Sequence, residues 1–130
     1  MHSDFLISQA DPRPMYVQIV EQIRRRIALG DWPPGHELPS IRALAATTRV
    51  SVITIKRAYS DLEREGVIVT RQGRGSFVAD LADLSTRLRL DELDAHLTAA
   101  ADLARELGVP AKALESRLHD AVRKRNRHER

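Results

Sequence analysis

Between Leu38 and Val78 the chain reads LPSIRALAATTRVSVITIKRAYSDLEREGVIVTRQGRGSFV, and local signals divide this stretch into four pieces. Ser40 is a plausible N-cap, with Pro39 just outside, for a short helix that carries Ile41, Leu44 and Ala45 and runs to about Thr48. Arg49 and Val50 form a turn, and Ser51 is the next N-cap candidate. The second helix places Ile55, Ala58, Tyr59 and Leu62 on one face, and Gly66 closes it at the position where a positive φ is needed. Val67 to Thr70 then reads as a strand, with Phe77 and Val78 as its return partner. Arg71 to Gly75, RQGRG, makes the tight turn between them. Helix, turn, helix and hairpin in that order predict a winged helix-turn-helix, whose second helix has the size to enter a DNA major groove while the hairpin reaches the neighbouring backbone.

The flanks extend this unit. Pro12 and Pro14 bracket the start of an amphipathic helix in which Tyr16, Ile19, Val20, Ile23 and Ile27 recur at three- and four-residue spacing, ending near Gly30. Asp31 to Gly35, DWPPG, breaks the pattern, and Trp32 is expected to anchor that turn against the core. After Ala79 the texture becomes leucine-rich. Leu81, Leu84 and Leu88, then Leu93, Leu97, Ala100, Ala104 and Leu107, follow helical spacing as far as Gly108 and Pro110. A last helix carries Leu114, Leu118, Ala121 and Val122. The expected architecture is mainly α with a small β-hairpin: a winged helix-turn-helix domain over residues 1–80, then two helices and a basic tail over residues 81–130.

Composition narrows the function classes. The 130 residues allow one ordinary domain, or a small one with a helical appendage, and the 42% hydrophobic content supports a folded chain. Cysteine is absent, which excludes disulfides, thiolate metal sites and a cysteine nucleophile. The N-terminal MHSDFLISQADPRP carries Asp4 and Asp11 and no continuous apolar run, so neither a signal peptide nor a membrane span is expected, and a cytoplasmic protein is. Net charge is +3. The clearest basic cluster is C-terminal, where Arg123, Lys124, Arg125, Arg127 and Arg130 stand against Glu129. A solvated helix end, favourable to the helix dipole, is the expectation there rather than a phosphate-contacting arm.

On the second helix of the motif Ser51, Ile53, Thr54, Lys56, Arg57 and Ser60 fall off the apolar stripe. Its N-terminal end is where such a helix meets base edges, so Thr54 and Lys56 are the base-reading candidates. Ile53 or Val52 could pack on a thymine methyl, although core packing is the readier expectation for Val52. Arg42, on the exposed side of the first helix, is placed for a phosphate. Gly73 and Gly75 let the wing backbone approach closely while Arg74 extends from its tip toward a minor groove or phosphate. QGRGS lacks the lysine and following helix of a nucleotide-binding loop. The five histidines form no ligand set, so no metal and no cofactor are assigned. The three lysines, Lys56, Lys112 and Lys124, each fall on a predicted helix surface, which leaves no catalytic lysine and no basis for an enzyme.

PMYVQIVEQIRRRIALGDWPPGHELPSIRALA, followed by VSVITIKRAYSDLEREGVI and RQGRGSFV, resembles the N-terminal domain of the GntR family of bacterial transcription regulators over roughly Pro14 to Ala79. The resemblance implies operator contacts from Ser40 and Arg42, from Ser51, Thr54 and Lys56, and from Gln72, Gly73 and Arg74. One departure stands out: many members carry arginine directly after the VS dipeptide, where this chain has Val52, so the base contact of that arginine does not transfer. The short C-terminal region is similar to the YtrA-like subfamily, whose two helices serve dimerisation. Leu84, Leu88, Leu93, Leu97, Ala100, Leu107, Leu114 and Leu118 are the candidate dimer residues, since two amphipathic helices of this length enclose no sizeable ligand pocket alone. The expectation is a homodimer on double-stranded, two-fold-related operator DNA. It would repress its own or a neighbouring transporter-type operon, with an effector at the dimer interface or between domains left open. A winged-helix module that binds protein instead of DNA is the alternative.

Overall fold

The computed structural model describes residues 5–8 and 10–128, and groups the chain into two compact units, Met1–Arg89 and Leu90–Arg130. The elements are α1 (Met15–Ala28), α2 (Ile41–Thr48), α3 (Val52–Arg64), β1 (Ile68–Arg71), β2 (Gly75–Val78), α4 (Leu84–Leu107) and α5 (Ala111–His128). This is the mainly helical chain with one small antiparallel hairpin that the sequence pattern predicts. No helix among the described residues is long and apolar enough to cross a membrane.

In the first unit α1 and α2 pack against α3, and β1 packs on the end of α3. Ile19, Ile23 and Ile27 from α1, Leu44 from α2, Ile55, Ala58 and Leu62 from α3, and Val67, Ile68 and Val78 from the hairpin form one buried cluster. Trp32 joins it as expected, with its ring stacked on His36 at 5.3 Å between centroids. Local chemistry sets the helix limits. Ser40 Oγ accepts from Ala43 N at 3.1 Å, Ser51 Oγ accepts from Thr54 N at 3.2 Å, and Gly66 follows α3 with φ 78°.

Two features of this unit depart from expectation. The loop before α2 adds a third extended segment to the hairpin: Val78 N donates to His36 O at 2.8 Å and Leu38 N to Ser76 O at 2.9 Å, with Glu37 bridged to Phe77. The wing is thus tied directly to the chain entering α2. Leu84 and Leu88, counted among the dimer candidates, are only 1% and 3% exposed and belong to the first unit's core. Their burial extends that core past the hairpin. It also carries the unit to Arg89, past the expected boundary at Asp80.

The N-terminal segment is held by two glutamines one turn apart on α1. Gln22 exchanges hydrogen bonds with Leu6 N and O at 2.8 and 2.7 Å, and buried Gln18 does the same with Ser8 at 2.9 and 3.2 Å. Each side-chain amide stands in for the backbone of a neighbouring strand, so a buried polar group is satisfied.

In the second unit Gly108, with φ 72°, turns the chain, and Val109 N donates to Ala104 O at 2.8 Å before α5 begins beyond Pro110. Ala104 is the one buried side chain among the described residues of this unit. Leu93, Leu97, Leu107 and Leu118 are 51%, 45%, 70% and 51% exposed, as are Leu90, Leu103 and Val122 to a similar degree. Ala100 is exposed and Leu114 half-buried. In the basic tail Arg123 pairs with Asp120 on its own helix at 3.4 Å, and Glu129 and Arg130 lie outside the described residues.

Candidate nucleic-acid interface

The surface presented by α2, α3 and the wing is positioned from below. Tyr59, buried beneath α3, donates its hydroxyl to Pro39 O at 2.7 Å, which ties the start of α2 to the middle of α3. Burial pushes the Tyr59 hydroxyl well above the usual phenol range, so it stays a donor. Behind the wing, Glu37 Oε2 would lie 3.3 Å from a Cβ added at Gly75, whose φ of 120° already disfavours any side chain. Glycine there lets the hairpin close onto the segment that leads into α2.

At the cap and along the first turns of α3, Ser51, Val52, Ile53, Lys56, Arg57 and Ser60 are exposed and Thr54 is half-buried. Val52 is 46% exposed and Ile53 80% exposed, so the expectation of core packing for Val52 is overturned. As the first residue of α3 it precedes the first inward position, Ile55, and its side chain stays at the surface. An exposed isoleucine–valine pair at the N-terminus of a helix is a costly surface for a protein to leave in water, and it suits contact with a thymine methyl.

Thr54 is more constrained than Lys56. Its hydroxyl lies 2.8 Å from Ser51 Oγ within the cap, which restrains its rotamer and leaves it either two lone pairs or one donor and one lone pair, depending on which hydroxyl donates. Lys56 forms no ion pair among the described residues. Arg57 is laid on the ring of Tyr16 from α1, with its guanidinium carbon 3.8 Å from the ring centroid. Sequence periodicity put Tyr16 on the core face of α1. It is half-buried, and the signal that could have identified its partner is absent from the local pattern because the pair is 41 residues apart.

Arg42 is exposed on α2, beside Ser40, whose hydroxyl is engaged in capping. At the wing the turn closes through Arg74 N donating to Arg71 O at 2.9 Å, with Gly73 at φ 77°, and Gln72, Gly73 and Arg74 are all exposed at the tip. Neither Arg42 nor Arg74 has an acidic partner among the described residues. Two more exposed cations, Arg49 in the turn between α2 and α3 and Arg71 at the base of the wing, were not singled out in the sequence. Arg49 has φ 57°, which ends α2 and turns the chain into α3. Unneutralised cations around an apolar-tipped helix end can bind phosphates while the helix contacts base edges. Among the described residues no group of three or more histidines or carboxylates could hold a metal ion.

The model of the family described as "Bacterial regulatory proteins, gntR family" matches residues 15–78, the span that holds α1, α2, α3 and the hairpin. The uncharacterized HTH-type transcriptional regulator YhcF of Bacillus subtilis is 42% identical over 86 residues, covering 66% of this chain and 67% of that protein. The HTH-type transcriptional repressor YtrA of Bacillus subtilis is 42% identical over 77 residues, 57% of this chain and 59% of YtrA. A solved GntR family transcriptional regulator from Listeria monocytogenes superposes with a TM-score of 0.71 at 28% identity, covering 85% of this chain and 96% of that one. The chain belongs to the GntR family of bacterial regulatory proteins, and is a helix-turn-helix transcription regulator rather than an enzyme.

Proposed function

We propose that this chain is a homodimeric repressor of the YtrA-like type, acting in the cytoplasm on a two-fold-related operator of its own or a neighbouring transporter-type operon. The observation that carries the DNA-binding part is the exposed start of α3, Ser51 to Lys56, flanked by Arg42 on α2 and Arg74 on the wing. Val52, Ile53, Thr54 and Lys56 contact bases. Arg42 and Arg74, with the backbone at Gln72 and Gly73, contact phosphates or the minor groove. Valine in place of the arginine common in this family replaces a guanine contact with an apolar one, so the operator carries a thymine at that step.

Dimerisation is supported by the second unit, Leu90–Arg130, whose leucines are mostly about half exposed and whose only buried side chain among the described residues is Ala104. Leu93, Leu97, Ala100, Leu107, Leu114 and Leu118 remain the interface residues, joined by Leu90 and Leu103, whereas Leu84 and Leu88 serve the fold. Repression is supported by the identity to YtrA, which is itself a repressor.

A test is selection of bound duplexes from a random pool, followed by mobility shifts at fixed salt with the full chain and with a variant replacing Arg42, Lys56 and Arg74 by alanine. A recurrent two-fold motif, bound at least about tenfold more weakly by the triple variant, is expected from the loss of phosphate and base contacts. Recovery of no preferred sequence would overturn the regulator reading in favour of a protein-binding winged helix.

A further inference from the structure

Tyr16 and Arg57 come from α1 and α3, which pack against each other. The Arg57 guanidinium lies over the Tyr16 ring with its carbon 3.8 Å from the centroid, and Arg57 Nη2 donates to the Tyr16 hydroxyl at 3.1 Å. Stacking fixes the tilt of the guanidinium plane, and the hydrogen bond fixes its rotation on the ring. One of five N–H donors is used, and the others stay available. On α3, Arg57 follows Lys56 and lies one turn beyond Ile53, on the exposed side away from Ile55, Ala58 and Leu62.

What holds Arg57 is not an acid. Arg13 is paired with Asp11 and Glu21, Arg24 with Glu65, and Arg64 with Asp61. Each of those cations is neutralised where it sits, and the Arg24–Glu65 pair already links α1 to the end of α3. Tyr16 orders Arg57 while leaving its positive charge intact. A planar, pre-ordered, uncompensated guanidinium matches two oxygens of a phosphate and loses little freedom when it binds one.

We infer that Tyr16 is a positioning residue for DNA binding, holding Arg57 so that Arg57 grips a backbone phosphate at the edge of the groove read by the start of α3. This inference rests on the operator-binding reading above. It makes α1 a support of the interface and adds Arg57 to the phosphate contacts proposed for Arg42 on α2 and Arg74 on the wing.

The test uses the full chain with a duplex selected by the wild type and a scrambled duplex of equal length, titrated over a range of salt. Arg57→Gln is expected to weaken both duplexes by the same factor, about tenfold, and to flatten the log–log salt slope by about 0.9, one phosphate contact. Tyr16→Leu keeps the charge but frees it, so a loss of about three- to tenfold is expected, with no further loss when it is added to Arg57→Gln. Tyr16→Phe keeps the stack and loses the hydroxyl bond. Its loss falls between wild type and Tyr16→Leu, and its double variant with Arg57→Gln preserves the test should Tyr16→Leu fail to fold in a thermal melt.

Three outcomes would overturn the inference alone: a loss from Arg57→Gln confined to the selected duplex, which would make Arg57 a base reader; independent, multiplying losses from the two sites; or silence at both while Lys56→Ala weakens binding. A wild type that does not prefer the selected duplex would overturn the operator-binding reading with it.

Discussion

The winged unit and the α4–α5 unit are both built from amphipathic helix, yet one buries its apolar side chains and the other displays them. Ile19, Ile23, Ile55 and Leu62 are fully enclosed in the first, whereas Leu93, Leu97 and Leu118 stay about half in water in the second. In the first, three helices, the hairpin and the start of α4 close one core, whereas two consecutive helices joined by a short turn bury little between them. The first unit therefore encloses a core of its own, and the second leaves most of its described leucines about half in water.

The same substitution made in each region separates these roles most sharply. Leu62→Ala, at a fully buried site, is expected to cost about 2–5 kcal/mol in urea unfolding, through lost burial and the cavity left behind. Leu97→Ala is expected to change the stability of the monomer by less than about 0.5 kcal/mol, and to weaken self-association in a concentration-dependent sedimentation series. Equal costs at the two sites would erase the distinction.

Smaller effects probe how the first unit holds its DNA-facing elements. Tyr59→Phe removes the donor to Pro39 O and is expected to cost about 1–2 kcal/mol. Its readout is DNA affinity as well as melting temperature, because the bond ties α2 to α3. Ser51→Ala removes the cap of α3 and releases Thr54, with an expected cost of about 1 kcal/mol by chemical denaturation. In the second unit, Arg105→Ala breaks an exposed ion pair with Asp102 and should shift stability by no more than about 0.5 kcal/mol.

What was readable in the sequence was local. Ser40, Ser51 and Gly66 mark helix ends by chemistry confined to a few residues, and the stripe of Ile55, Ala58, Tyr59 and Leu62 follows from helical period alone. Long-range relations were not readable. Gly35 to Leu38 has no alternating pattern, and its pairing with β2 depends on residues about 40 positions later. Periodicity identified the apolar side of the leucine helix but not what it packs on, so Leu84 and Leu88 were grouped with residues they do not serve. Val52 was read by its apolar character, whereas its place at the head of α3 decides its exposure. In the candidate site Arg42, Lys56 and Arg74 were legible because exposed cations at helix and wing positions are local features. The Tyr16 contact that sets Arg57 joins two helices far apart in the chain.

The contrast between the two units is tested most directly by sedimentation of the full chain beside a fragment ending at Arg89, which retains Leu84 and Leu88. A folded, monomeric fragment and a dimeric full chain are the expected result. A monomeric full chain, or a fragment that dimerises as tightly as the full chain, would contradict the assignment of the exposed leucines to a second copy.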